Sequence, residues 1–206
     1  MGSCYLCFSY LDAMNKVRTK WSLRFAVLLW PVLLCLAPGL LQATTERDPY
    51  QYFFQASLGD LTEELEIARE EGKQGVFVFF EMDECPFCHR MKQTVLNQAD
   101  VQEYFAERFH SLSMDIEGDI EIVDFKGNDT TQKEFARSNR VRATPLLAFY
   151  DLQGNLLFKY VGAPSGKQEF LWMGEFVAER IYLQKDDSGR NIRFARYKRI
   201  KKNSSL

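Results

Sequence analysis

Apolar positions between residues 58 and 184 follow two rhythms, and the alternation between them predicts a series of helices and strands. Asp60-Leu61-Thr62-Glu63 has capping-box spacing, and Leu61, Leu65 and Ala68 continue a helical stripe to about Glu71. Gly72-Lys73-Gln74-Gly75 ends it. Val76-Phe77-Val78-Phe79-Phe80 follows without a polar break, the pattern of a strand buried on both faces. Beyond Cys85-Pro86-Phe87-Cys88, residues Met91, Val95 and Leu96 line one side of a helix that ends near Asn97. Asp100 is placed to cap a second helix carrying Val101, Tyr104 and Phe105, and His110 to Met114 reads as a strand. Asp115 to Thr130 is acidic and glycine-containing, and reads as an insertion or long loop. Thr131 to Ser138 is helical with Phe135 as its anchor. Leu146 to Tyr150, the turn Gln153-Gly154-Asn155, and Leu156 to Tyr160 form a hairpin. One long helix is expected from Gly166 to about Gln184, with Phe170, Leu171, Met173, Phe176, Val177, Ile181 and Tyr182 along one face.

Strands alternating with helices and finished by an antiparallel hairpin predict an α/β fold with a central mixed sheet covered on both faces. Apolar residues make up 46% of the 206 positions and aromatics 14%, enough for one packed domain with appendages.

Charge changes this picture at both ends. The formal net charge is −2, but residues 1–43 carry +3 and residues 190–206 carry +7, leaving −12 between them. An acidic body excludes nucleic acid as a partner, because phosphates are repelled over most of the surface. Lys16, Arg18, Lys20 and Arg24 precede an apolar run from Phe25 to Leu41, and Leu41-Gln42-Ala43 offers a small residue for cleavage. Residues 1–43 are therefore expected to be an export signal, with residues 1–13 a mis-assigned start before Met14. A retained anchor is the alternative. The remainder divides into a lead-in at 44–57, a domain at 58–184 and a basic tail at 185–206. The tail, with Ile192, Phe194, Tyr197 and Ile200 among its cations, is expected to be a solvated, frayed terminus; its alternative role is contact with an anionic membrane or acidic partner.

Of five cysteines, only Cys85 and Cys88 lie outside residues 1–43. A thiol attacks as its thiolate, and a helix N-terminus directs unsatisfied N–H groups and the positive end of the helix dipole at such a sulfur. Pro86 suits the first helical turn. Cys85 is then the exposed nucleophile, and Cys88, one turn on, the buried resolving thiol. Thr144-Pro145 is the second candidate element. A proline at a strand entrance calls for a special role, and this segment is suited to pairing with an extended substrate. Glu81, Asp83 and Glu84 crowd Cys85 with negative charge, which opposes the thiolate and favours a reducing direction.

The order strand, CxxC, helix, then Thr144-Pro145, a hairpin with Gly154 at its turn and a closing helix resembles the thioredoxin superfamily over residues 58–184. Cys-Pro-Phe-Cys without a preceding tryptophan, the acidic insertion and the export signal look most like periplasmic SoxW-type thioredoxins. The resemblance implies a thioredoxin-like fold with the insertion before a cis Pro145. It also implies an exported, periplasmic enzyme that exchanges protein disulfides through a redox-active Cys85–Cys88 pair, with Thr144 and Pro145 binding substrate. No cofactor or metal is expected. The partners would be a protein disulfide substrate and an electron-donor thiol protein, met by a monomer. Two departures stand out: Glu84 replaces the usual tryptophan, and Phe79 occupies the usual place of a buried acid. Glu81 shares the strand face of Phe79, either as a substitute proton acceptor or as a solvated strand end. Two other readings compete: a glutathione-dependent glutaredoxin, and a copper chaperone using the CxxC. His89 points about 100° from Cys88 on a helix, which argues against its sharing an ion with the cysteines. His110 is read as structural.

Overall fold

The structure is a computed structural model, and it describes residues 46–204. The expectations for the first 43 residues lie outside this range. A short helix α1 (Pro49–Tyr52) opens the described chain, with Asp48 Oδ1 accepting from the Tyr50 N–H and proline at the first position. Helix α2 (Leu61–Glu70) begins at Asp60, whose carboxylate accepts from the N–H groups of Thr62 and Glu63. Strand β1 (Gly75–Glu81) is buried at all seven positions. Helix α3 (Pro86–Met91) continues through a π-helical turn, Lys92–Leu96, into α4 (Ala99–Arg108) and strand β2 (Phe109–Asp115).

The acidic stretch read as a long loop contains a small hairpin, β3 (Glu121–Val123) and β4 (Asp129–Thr131). Ile122 and Phe125 hold it in the core, and Asp124 closes its turn by accepting from Lys126 and Asn128 N–H groups. Thr131 then caps α5 (Gln132–Ser138). The hairpin β5 (Leu146–Tyr150) and β6 (Leu156–Val161) leads to α6 (Lys167–Ala178). The long helix expected to reach Gln184 ends early. Arg180 takes a left-handed conformation (φ 54°), and the turn sends Ile181 back into the core through a 3-10 segment, Ile181–Leu183. Residues 185–206 also differ from expectation: Phe194–Ser204 form an ordered helix, α7, with Phe194 and Tyr197 buried.

The main sheet has the order β2-β1-β5-β6, with β1 and β2 parallel and the other neighbours antiparallel. The period of two along β1 divides the interior. Phe77 and Phe79 face a core built with Phe53, Phe54, Phe105, Phe149, Phe170 and Phe176. Val76, Val78 and Phe80 face the other, with Leu61, Leu65, Leu112, Phe135 and Leu146. The lead-in thus belongs to the domain: Phe53 and Phe54 sit in the first core, and Gln55 exchanges hydrogen bonds with the backbone of Ser111.

Candidate active site

Register brings the two candidate elements together. Phe80 of β1 pairs with Leu146 of β5, and Leu146 pairs with Val161 of β6. The segment leaving β1 toward Cys85, the Thr144-Pro145 segment entering β5, and the loop leaving β6 therefore meet at one end of the sheet. The Thr144-Pro145 bond is cis, Pro145 is buried, and its carbonyl accepts from the Gly162 N–H at 2.8 Å.

Cys85 is the N-cap of α3 and is disulfide-bonded to Cys88, with the Cα atoms 5.2 Å apart. The Cys88 N–H donates to Cys85 Sγ at 3.1 Å, and Pro86 occupies the first helical position. The helix thus supplies the N–H that an anionic sulfur at Cys85 would use. Cys88 is fully buried, and Cys85 is only 2% exposed. The expectation of an exposed Cys85 is corrected in this oxidised state: the cap position turns its side chain inward over the first turn, while the neighbouring Phe87 projects outward. Arg90 lies over the Phe87 ring at 5.3 Å.

Glu81 is neither a solvated strand end nor alone. It is buried, and Lys92 Nζ meets its carboxylate at 2.6 Å. Ser113 Oγ and Tyr50 O–H donate to the same carboxylate at 2.5 and 3.1 Å, and Lys92 also donates to Tyr50 Oη at 2.6 Å. Burial by itself would lower the Lys92 pKa, but the hydrogen bonds and charge of Glu81, with Tyr50, hold it above its ordinary value. Burial raises that of Tyr50. Lys92 and Tyr50 were missed in the sequence, although Lys92 lies four residues after Cys88 and hence on the same helix face. Tyr50 carries no comparable signal.

His89 is exposed, with Nε2 2.8 Å from the Asp83 carbonyl oxygen, so its ring braces the turn before Cys85. His110 is buried at the opposite end of the sheet, 2.6 Å from the Glu64 carboxylate. The loop after β6 is anchored by Glu169, which accepts from Ser165 Oγ at 2.5 Å, from the Ser165 N–H at 3.3 Å and from Lys198 Nζ at 2.8 Å.

A mixed sheet with a CxxC disulfide starting a helix and a cis-proline segment beside it defines the thioredoxin-like class. A thioredoxin-like domain model matches residues 61–178, and the chain belongs to that family. Among solved structures, a thioredoxin-fold protein from Helicobacter pylori is 23% identical, with a TM-score of 0.53, covering 65% of this chain and 87% of its own. A DsbH oxidoreductase is 18% identical (TM-score 0.48), covering 63% and 86%. A thioredoxin from Thermus thermophilus is 27% identical (TM-score 0.45), covering 56% and 81%. No curated protein sequence matches the chain significantly.

Proposed function

We propose that the protein is a thiol–disulfide oxidoreductase acting on protein substrates, of the SoxW type, exported to the periplasm by residues 1–43 and acting mainly as a reductase. The observation that carries this reading is the Cys85–Cys88 disulfide at the start of α3, at the same sheet end as Thr144-Pro145. In the reduced form, the Cys85 thiolate attacks one sulfur of a substrate disulfide, forming a mixed disulfide and releasing a substrate thiolate that takes up a proton. Cys88, as thiolate, then attacks Cys85 Sγ. The Cys85–Cys88 bond forms and the second substrate thiol leaves, so two electrons pass to the substrate. A donor thiol protein reverses these steps on the enzyme. One chain contains both thiols, so a monomer suffices.

The reducing direction rests on Asp83 and Glu84, exposed beside Cys85, which oppose its thiolate. Glu81 contributes less to that argument, because Lys92 balances its charge at 2.6 Å. The basic carboxy-terminal segment is read as facing an anionic membrane surface. Equilibrating the protein with a thiol redox buffer tests the direction: a potential near about −270 mV supports a reductase, and one near about −120 mV overturns it. Trapping on Cys88→Ala in the periplasm tests the exchange itself. The expected product is a substrate held covalently on Cys85; no trapped protein, together with no insulin reduction by the unaltered chain, would refute it.

A further inference from the structure

Of the three lysines of helix α7, Lys202 is exposed. Lys198 and Lys201 turn inward, pairing with Glu169 at 2.8 Å and Glu175 at 2.5 Å. Arg193, the residue before α7, and Arg196 and Arg199 on it recur at three-residue steps, which spreads them over about 120°, with Arg199 farthest from the buried Phe194 and Tyr197. Arg190, in the preceding loop, joins them around a cavity of about 230 Å³ that Asp186 and Asn191 complete.

Four arginines therefore line the cavity with one carboxylate, and that carboxylate is already engaged. Asp186 accepts from the N–H groups of Ser188 and Arg190, from Ser188 Oγ, and from Arg196 Nη1 at 2.6 Å. Arg196 is further tied to Asp187 at 3.5 Å. Among the described residues, neither the Arg193 nor the Arg199 side chain has a hydrogen-bond or ion-pair partner. The chain has more acids than bases, 28 against 26, yet residues 190–206 contain no acid. Clustering cations without partners opposes the fold, and departures of this kind from local consistency mark functional sites. The choice of arginine matters as well. Its planar fork matches the oxygens of a phosphate two at a time, whereas lysine acts as a point charge. Ile200, half exposed on the same face, offers an apolar contact beside the charges.

We propose that the Arg190–Arg193–Arg196–Arg199 cavity binds a phosphate group, the chemistry shared by an anionic phospholipid headgroup and by free phosphate. The site deepens the membrane-facing reading of α7 and is independent of the thiol exchange at the other site. The test titrates the purified full-length chain with inorganic phosphate by calorimetry. In parallel, the chain is titrated with vesicles of phosphatidylglycerol and phosphatidylcholine, against phosphatidylcholine alone. Saturable binding in either series is expected, at least tenfold weaker in Arg193→Gln/Arg199→Gln and also weakened in Arg193→Lys/Arg199→Lys. Binding to the mixed vesicles alone assigns the headgroup, and binding to inorganic phosphate assigns the free anion. No binding in either series overturns the site, as does equal binding by the glutamine variant or full retention by the lysine variant. Insulin reduction should be unchanged in these exposed-face variants. Its absence from the unaltered chain would refute thiol exchange while leaving the phosphate site standing.

Discussion

At the scale of residues, the pair beneath the active-site helix shows how a buried charge is tolerated. Glu81 and Lys92 are each about nine-tenths buried and 2.6 Å apart, and Ser113 and Tyr50 satisfy further lone pairs of the carboxylate. Attraction and desolvation nearly offset in such pairs, so the network adds little against an apolar replacement. Breaking it is another matter. Lys92→Met leaves the Glu81 carboxylate buried without its cation, which should cost about 3–5 kcal/mol in denaturant unfolding of the oxidised protein. Adding Glu81→Gln should restore most of the loss, because the uncompensated charge disappears. A loss below about 0.5 kcal/mol in the single variant would mean that solvent already screens the pair. Glu81 was visible in the sequence as an acid ending a buried strand. Its environment was not, because Tyr50 and Ser113 reach it only after the chain folds back.

Among elements, the contact of α4 with α6 depends on a glycine, Gly174. A Cβ at Gly174 would lie 2.7 Å from Tyr104 Cε1 and 3.2 Å from Phe105 Cζ. Phe105 cannot yield easily, since it stacks on Phe170 with centroids 4.3 Å apart and is fully buried. Two effects oppose each other in Gly174→Ala. Helix propensity gains up to about 1 kcal/mol, and overpacking costs about 1–3 kcal/mol. The net expectation is a destabilisation of about 1–2 kcal/mol by thermal or denaturant unfolding, and a stabilised variant would show that Tyr104 swings aside freely. The elements legible in advance were those with long, uniform patterns. Val76–Phe80 and Leu146–Tyr150 read as strands because every position is apolar. The β3–β4 hairpin was not legible, since three-residue strands are too short to establish a period. The continuous helix to Gln184 failed for the reverse reason: Ile181 and Tyr182 keep the helical spacing, but the chain reaches the core through the left-handed turn at Arg180.

Over the whole molecule, the sign of charge changes where the chain crosses onto α7, and the crossing is structural. Phe194 and Tyr197 pack against Phe158 and Phe176, and Lys198 reaches Glu169 beside the loop that follows β6. Removing residues 190–206 strips two buried aromatics, each worth about 1.5–3 kcal/mol, so unfolding should require about 3–6 kcal/mol less. A frayed terminus would instead change stability by less than about 0.5 kcal/mol. Lys198→Met isolates the electrostatic part. Burial by itself would raise the Glu169 pKa, but hydrogen bonds from Lys198 and Ser165 and the Lys198 charge hold it below 4.5. A carboxyl group lowered on folding stabilises the protein above its unfolded value, and that contribution fades as pH falls from 4.5 through the folded value. Without Lys198, only the Ser165 hydrogen bonds oppose burial, and the group takes up its proton at higher pH than in the unaltered chain. The stability gap between the unaltered chain and Lys198→Met should therefore be widest near pH 7 and narrow as pH drops below 4.5. A gap that stays constant, or widens in acid, would mean that Lys198 contributes packing and no charge.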